Sequence, residues 1–288
     1  MWDALPSGLF LGGAPFNVSA HLNELDEEVY FVSRVGKDRL GKEAVRRIKG
    51  REISSALIQK DDDHETGFVE VELDQSGNPE YRIIEPVAWD LIEMSDELKE
   101  QANSAWGIVF GSLAQRSISS RETIRQLLEM PGKKIFDINL RSPHFSREVV
   151  EHSIKAADVV KLNEDELAYL KEWFELSSDH ADAIKELCHH YSCETVCVTK
   201  GGSGAEMLHR GQWASHPGYK VEVADLVGAG DAFFASLISG IRQELGPDEL
   251  LRRANATGAF VASRAGALPH YDMSDIQQIS KQNPFDKG

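Results

Sequence analysis

Asp225-Leu226-Val227-Gly228-Ala229-Gly230-Asp231 is the stretch from which the rest of this sequence can be interpreted, and an apolar run, 232–238, follows it directly. The small residues ahead of a helical pattern leave the first-turn N–H groups uncovered, so an anion can approach the positive end of the helix dipole. Asp231 then has two interpretations. It is an ordinary helix N-cap, or it is a base that takes a proton from a hydroxyl group attacking a phosphoryl group.

The composition narrows the classes of function. The 288 residues include 47 Asp and Glu against 31 Lys and Arg, and the formal net charge of −16 opposes binding to nucleic acid or to an anionic membrane surface. No apolar segment approaches the roughly 20 residues that span a bilayer, and the N-terminus lacks a secretion signal, so we expect a cytoplasmic protein. Cys188, Cys193 and Cys197 are odd in number and clustered, which favours buried thiols over disulfides.

Strands and helical patterns alternate through the middle of the chain. The apolar periodicity predicts strands at 106–110, 134–138 and 159–162. It predicts helices between them, at 119–129 and 146–156. Such alternation predicts a mostly parallel sheet with helices on both faces, and in that architecture ligands bind outside the carboxyl ends of the strands. A β-hairpin, with strands over 68–73 and 81–84 and a turn at 75–79, interrupts the alternation and is a candidate lid.

Two clusters suit a polyhydroxylated ligand. Asp137, Asn139 and Arg141 place three hydrogen-bonding side chains on alternate positions after a predicted strand, although loop capping explains them equally well. Gly12-Gly13-Ala14-Pro15-Phe16-Asn17 joins a loop to a helical pattern, so a ligand can approach its backbone closely, and Asn17 projects an amide from the first turn. A simple turn before a helix is the alternative there.

Two further clusters suit a nucleotide and its metal. Asn163-Glu164-Asp165-Glu166 is either an N-cap with acids in the first turn or a group in which Glu166 organises water around magnesium. Gly201-Gly202-Ser203-Gly204 is either a hairpin turn or a cradle whose bare N–H groups bind phosphate. The segment 36–43 nearly matches a P-loop, but Glu43 stands where the magnesium-binding hydroxyl belongs, which excludes a P-loop NTPase.

In their order along the chain, these motifs resemble the pfkB-type carbohydrate kinases, the ribokinase-like family, over nearly the whole length. The motifs that carry the resemblance are 12–17 with Gly36 downstream, 137–141, 163–166, 199–204 and 228–231. The resemblance implies an α/β, ribokinase-like three-layer fold: a mostly parallel central sheet flanked by helices, with a small β lid. We therefore expect a single kinase domain over 1–288, with its lid formed by about 66–85 and the segment near 5–11.

The resemblance also implies a role for individual residues. Asp231 is then the base that deprotonates the sugar hydroxyl, and the N–H groups of Gly228, Ala229 and Gly230 form the anion hole. The implied sugar ligands are Asp3, Gly12, Gly13, Asn17, Asp137, Asn139, Arg141 and Asp231. The implied ATP ligands are Asn163, Thr199, Lys200, Gly202, Gly204, Gly228, Gly230 and Asn255. Glu166 is expected to act on Mg²⁺ through water, and Asp225, with the loop near Gly266, lies where family members often bind a monovalent cation such as K⁺.

Within the family, the segments Trp2-Asp3-Ala4-Leu5-Pro6 and Ala88-Trp89-Asp90 look most like bacterial fructokinases. The resemblance therefore implies ATP-dependent phosphorylation of D-fructose to fructose 6-phosphate; 2-keto-3-deoxygluconate kinase or ribokinase-like activity is the alternative. The family analogy also implies a homodimer formed through the lid, and the negative net charge opposes a membrane or nucleic-acid partner.

Asp26 stands where the family usually has glycine or serine, and we expect the fold to tolerate this departure. The start of the chain is a more serious departure. Only Met1 and Trp2 precede Asp3, where family members carry a core strand, so we expect either a start further upstream or a sheet that lacks its first core strand. The second case would leave the position of Asp3 in doubt. It motivates a hypothesis of another class, a sugar- or nucleotide-binding protein without catalysis.

Overall fold

The computed structural model of the chain describes residues 1–5, 8–73 and 79–281. The strands in these ranges are β1 (Trp2–Leu5), β2 (Gly8–Leu11), β3 (Ser33–Gly36), β4 (Ile58–Asp61), β5 (Phe68–Leu73), β6 (Pro79–Ile83), β7 (Gly107–Gly111), β8 (Lys133–Asp137), β9 (Val159–Asn163), β10 (Thr195–Thr199), β11 (Ala205–His209) and β12 (Gln212–His216). The helices are α1 (Ala14–Glu24), α2 (Arg39–Gly50), α3 (Asp96–Ser104), α4 (Ile118–Leu128), α5 (Arg147–Ala156), α6 (Glu164–Phe174), α7 (His180–Tyr191), α8 (Ala229–Arg242), α9 (Pro247–Ala262) and α10 (Met273–Ser280). No helix in these ranges combines the length and the apolar character that a membrane span requires.

The largest sheet has the strand order β12-β11-β10-β9-β8-β7. β7 to β10 run parallel, and β11 and β12 extend the sheet antiparallel. Its central strands are buried on both faces: Ile135 and Val159 contact the cluster that contains α8 and α9, whereas Phe136 and Val160 contact the cluster of α5 to α7. The expected three-layer architecture, with a mostly parallel sheet between helices, is therefore confirmed.

A second sheet of four strands has the order β2-β1-β5-β6. β5 and β6 pair antiparallel, from Val69 opposite Ile83 to Leu73 opposite Pro79, as the hairpin pattern predicted. Positions 75–78 of the predicted turn lie outside the described residues. β1 joins the same sheet, parallel to β5 and antiparallel to β2, so the segment that carries Asp3 belongs to this sheet.

β3 and β4 form a separate parallel pair. Val32, just before β3, and Ile108 of β7 contact the same apolar cluster, which contains Leu57 and Leu98. Over 1–5, 8–73 and 79–281, however, no strand pairs with the outer edge of β7 or with the second edge of β3. The described sheets thus lack the strand that the family pattern led us to expect before Asp3.

Some local predictions were wrong. The apolar run over 29–35 predicts a buried strand, but β3 begins at Ser33, and Tyr30 forms an isolated bridge with Ser54 instead of joining the strand. The charged run over 61–65 predicts a solvated turn, but Asp61 is buried and accepts hydrogen bonds from the N–H groups of Asp63 and His64. The cysteines are free and buried, as expected, and burial raises the pKa of each thiol to about 12.

Candidate active site

The N-terminus of α8 is open to an anion. Gly228 is the N-cap, at a φ of 80°, and a Cβ built there would lie 2.5 Å from the carbonyl oxygen of Ala267, so only glycine fits. No side chain in the described part of the chain caps the helix. The Ala229 N–H lies 3.4 Å from the carbonyl oxygen of Leu226, whereas the N–H groups of Gly228 and Gly230 have no acceptor in the described parts of the chain. The N-cap interpretation of Asp231 is wrong, because Asp231 lies in the first turn, after the cap.

Asp231 is paired with an amide from the other end of the chain. The Nδ2 atom of Asn17, in the first turn of α1, donates to Oδ2 of Asp231 at 2.8 Å. Asn17 is only 4% exposed, and its Oδ1 atom has no hydrogen-bond partner among the described residues. Burial raises the pKa of Asp231 to about 6, although the hydrogen bond from Asn17 partly opposes this. A carboxyl group that titrates near neutral pH suits general base catalysis.

The start of α1 and the strand β1 form one wall beside this pair. Gly12 lies directly against Asp3, since a Cβ on Gly12 would stand 2.1 Å from Oδ2 of Asp3. Gly13 is the N-cap of α1, at a φ of 101°, which favours glycine. Burial raises the pKa of Asp3, and the charge of the N-terminal amine opposes that increase. The structure therefore brings Asp3, Gly12 and Gly13 to the helix that carries Asn17.

A second wall beside Asp231 is formed by the carboxyl end of β8 and the loop after it. Asp137 and Lys161 are register partners on β8 and β9, and the Nζ atom of Lys161 lies 3.0 Å from Oδ1 of Asp137. Asn139 adopts a left-handed conformation, with a φ of 39°. Arg141 is exposed, and its guanidinium donates to the carbonyl oxygen of Leu140. The charges of Asp137, Lys161 and Arg141 all act on the pKa of Asp231, so this loop and α8 face each other.

Lys161 was not predicted from the sequence. It interrupts an apolar strand, Val159-Val160-Lys161-Leu162, and a charged residue in a buried strand needs a partner of opposite charge. That interruption was the available signal.

Asn163 and Glu166 form a reciprocal cap at the start of α6. The Glu166 N–H donates to Oδ1 of Asn163, and the Asn163 N–H donates to Oε2 of Glu166. The other carboxylate oxygen of Glu166 accepts the Leu140 N–H at 2.8 Å. The N-cap interpretation of this motif is therefore confirmed, and Glu166 also ties the loop after β8 to α6. Burial raises the pKa of Glu166, while the charge of Lys161 lowers it.

The glycine-rich segment 201–204, after β10, forms a hairpin turn, so the hairpin interpretation of this segment is confirmed. β10 and β11 pair antiparallel, and Gly204, at a φ of 85°, leaves no space for a side chain: a Cβ there would lie 1.9 Å from the carbonyl oxygen of His216. Gly202 faces open space. The ammonium of Lys200 pairs with Glu206. Thr199 lies opposite Asn163 in the β9–β10 register, so the two nucleotide-side motifs meet at the same sheet edge.

Asn255 and Asp225 are held by backbone contacts. Asn255 is buried in α9, where its Nδ2 donates to the carbonyl oxygen of Leu251. Asp225 accepts the N–H groups of Val227 and Gly266 on its two carboxylate oxygens, and it thereby joins the loop before α8 to the loop after α9. Within the described ranges, no group of three or more His, Cys, Asp or Glu side chains is arranged to hold a metal ion.

Comparison with known proteins agrees with this geometry. The model of the pfkB family carbohydrate kinases matches residues 8–272. A fructokinase from Klebsiella pneumoniae is 30% identical over 285 residues, which cover 93% of this chain and 91% of that protein. The crystal structure of an uncharacterised sugar kinase from Pyrococcus horikoshii in complex with ATP is 25% identical, with a TM-score of 0.80 and 97% of each chain covered.

A fructokinase from Vibrio cholerae, crystallised with fructose, ADP and calcium, shares the fold at 23% identity, with a TM-score of 0.80 over 97% of this chain and 96% of that one. The family match spans nearly the whole chain. The chain therefore belongs to the pfkB family of carbohydrate kinases, and it is a sugar kinase that transfers a phosphoryl group to a hydroxyl group.

Proposed function

We propose that this sugar kinase uses ATP to phosphorylate D-fructose to fructose 6-phosphate, with Asp231 as the general base. The observation that carries the proposal is the hydrogen bond between Asn17 and Asp231 at the uncapped N-terminus of α8. It fixes one carboxylate oxygen of Asp231, while the other has no hydrogen bond from the described residues and can accept a hydroxyl proton. The adjacent N–H groups of Gly228 and Gly230 suit the negative charge of the transferring phosphoryl group.

The sugar would lie between the two walls of the site. Oδ1 of Asn17 is a buried acceptor without a donor, and a sugar hydroxyl would supply that donor. Asp3 on one side, and Asp137, Asn139 and Arg141 on the other, are the further proposed ligands. Fructose is favoured because the K. pneumoniae relative is a fructokinase, matched over most of both chains.

ATP would extend from the start of α8 towards the ends of β9 and β10. The proposed contacts there are those named above at Asn163, Thr199, Lys200, Gly202, Gly204 and Asn255. Mg²⁺ on the nucleotide phosphates would neutralise their charge. Both oxygens of Glu166 already accept backbone N–H groups, so this residue fits a water-mediated role better than direct ligation.

Asp225 links Val227 to Gly266, so a monovalent cation such as K⁺ bound at these loops would act on the position of Gly228. The four-stranded sheet would close over the sugar as a lid, formed by about 66–85 and the segment near 5–11, on a single kinase domain over 1–288. We further propose that the enzyme acts in the cytoplasm.

The test is a coupled assay of ADP release in buffer that contains MgCl₂ and KCl. We expect kcat/KM to be highest for fructose among fructose, ribose, glucose and 2-keto-3-deoxygluconate. It should decrease below about pH 6, because protonated Asp231 cannot accept a proton. Asp231→Asn keeps an acceptor for Asn17 but removes the base, and it should lower kcat by about 10²- to 10⁴-fold.

Each result has a distinct consequence. Near-normal turnover by Asp231→Asn would show that Asp231 is not the general base. A higher kcat/KM for another sugar would show that fructose is not the preferred substrate. If folded protein turned over none of the sugars but was still stabilised thermally by ATP or fructose, binding without catalysis would be the better description.

A further inference from the structure

Lys161 is a buried cation that the proposed reaction does not use directly. It projects from β9 to the sheet face that α8 covers, because side chains alternate along a strand and Val159, two residues earlier, contacts the α8 cluster. Its register partner on β10, Cys197, is a fully buried member of that cluster. This is a position where an apolar side chain would be expected, so burying an ammonium group there opposes folding unless it is paired.

The ammonium group lies between the carboxyl end of β8 and α8. Lys161 is 7% exposed, and its Nζ atom lies 3.0 Å from Oδ1 of Asp137, which is 5% exposed. The same Nζ atom is 5.9 Å from the ring centre of Phe234, which follows Asp231 by one helical turn. Lys161 therefore lies between the end of β8 and the start of the catalytic helix.

Negative charge accumulates at this point. The charged and titratable groups that face Lys161 or Asp231 are Asp137, Glu166, Asp231, Lys161, Arg141 and Cys197. Of the two cations, Arg141 is exposed to solvent, whereas Lys161 is buried. Burial lowers the pKa of Lys161, but the charges of Asp137, Glu166 and Asp231 outweigh that effect and raise it overall. The lysine thus remains charged and compensates the buried carboxylates.

We propose that Lys161 is a positioning residue for phosphoryl transfer: its ammonium group fixes Asp137 and balances the negative charge beneath α8, so that Asp231 stays ionised at neutral pH. The proposal rests on the proposed function of Asp231 as the base. Lys161 does not touch the reacting atoms. It acts through Asp137 and through the electrostatic potential at Asp231.

The first test compares Lys161→Met, which removes the charge at similar volume, with Lys161→Arg, which keeps it. We expect the acidic limb of the kcat/KM profile to move upward by about one pH unit in the Met variant, which is a roughly tenfold loss of kcat/KM on that limb. The Arg variant should stay within about 0.3 pH units of the wild type. The pH shift should appear in kcat as well as in kcat/KM, because it reports the ionisation of Asp231, whereas loss of the contact to Asp137, a proposed sugar ligand, should raise KM at every pH.

Lys134→Met is the matched control. Lys134 is a buried lysine of the same sheet, but its ammonium donates to the carbonyl oxygens of Met130 and Gly132 at the amino end of β8. Loss of the Lys134 ammonium group should leave the pH dependence of kcat/KM unchanged. If Lys161→Met does not fold, Lys161→Gln, which keeps a donor for Asp137 without the charge, takes its place.

A second readout does not depend on turnover. In a ¹³C-carboxyl NMR titration, the Asp231 signal is identified by its absence from Asp231→Asn, and we expect its midpoint to move upward in Lys161→Met. A folded Met or Gln variant with an unchanged midpoint and an unchanged pH limb would overturn the proposal. So would an Arg variant that shifts as far as the Met variant. If Asp231→Asn were active, Asp231 would not be the base. The NMR titration would still measure the effect of Lys161 on the pKa of Asp231.

Discussion

Gly228 and Gly230 begin the same helix but face different surroundings. Gly228 has a φ of 80°, and a Cβ there would meet the backbone of Ala267, whereas a Cβ on Gly230 would meet no atom of the described residues within 4 Å. We expect Gly228→Ala to lower the free energy of unfolding by about 1–3 kcal/mol and to lower kcat more than tenfold, because the N–H groups of the first turn would move. Urea unfolding and steady-state kinetics measure the two effects.

Gly230→Ala is the control, and it should change the free energy of unfolding by less than about 1 kcal/mol. Equal destabilisation by the two substitutions would contradict the argument from the close contact with Ala267. A Gly228→Ala variant with normal kcat would show instead that the first-turn N–H groups do not need this backbone conformation.

At the residue scale, the sequence predicted contacts between residues that are close along the chain. It did not predict contacts between residues that are far apart along the chain. Asn17 and Asp231 were proposed separately, yet they are 214 residues apart and their hydrogen bond cannot be read from spacing. Lys161 is 24 residues from Asp137, and only the β8–β9 register places the two together. Glu166, by contrast, caps its own helix three residues after Asn163, and that local pattern was visible.

At the scale of elements, Arg116 joins the four-stranded sheet to the rest of the molecule. Its guanidinium donates to both carboxylate oxygens of Asp90 at 2.7 Å and to the carbonyl oxygen of Ile84, directly after β6, at 2.7 Å. It also stacks over Trp89, 4.0 Å from the ring centre. Trp89 in turn touches Gly67, directly before β5, where a Cβ would lie 2.3 Å from the indole nitrogen. The group therefore holds both strands of the hairpin at their base.

Arg116→Met should destabilise the protein strongly. Both side chains of the Arg116–Asp90 pair are 4% exposed, and removal of the guanidinium would leave a buried carboxylate without its partner. A loss of about 3–5 kcal/mol in the free energy of unfolding is expected. Lys155→Met removes an exposed pair with Glu151 and should cost less than about 0.5 kcal/mol. Similar losses for the two variants in denaturant unfolding would refute the role of Arg116.

Element boundaries followed the sequence closely where a strand is buried on both faces. β8 and β9 lie within one residue of their predicted ranges, because an apolar run between two helical layers has no other stable arrangement. β3 was predicted four residues too early, since Tyr30 and Phe31 are apolar but pair through only one isolated bridge. Asp61 was wrongly predicted to be solvated. The run of charged residues around it does not reveal its hydrogen bonds to the N–H groups of the turn or its ion pair with Arg34.

At the scale of the whole molecule, the sequence predicted the layers but not the division into three sheets. β1 carries Asp3 and could have been placed in the main sheet or in the lid from its residues alone. Its pairing with β2 and β5 assigns it to the four-stranded sheet. That sheet leaves Leu9 and Phe10 of its edge strand β2 exposed, at 41% and 44%. An exposed apolar edge strand favours pairing with another chain.

We therefore expect a homodimer in which a second copy covers β2. Phe10→Glu places a charge on this edge, where burial in an interface would be costly, and it should convert the dimer to a monomer. Ile118→Glu is the control, because Ile118 is 73% exposed but lies at the start of α4. Light scattering at matched concentrations should show half the mass for the Phe10 variant and an unchanged mass for the Ile118 variant. A monomeric wild type, or a Phe10 variant that remains dimeric, would rule out this edge as the interface.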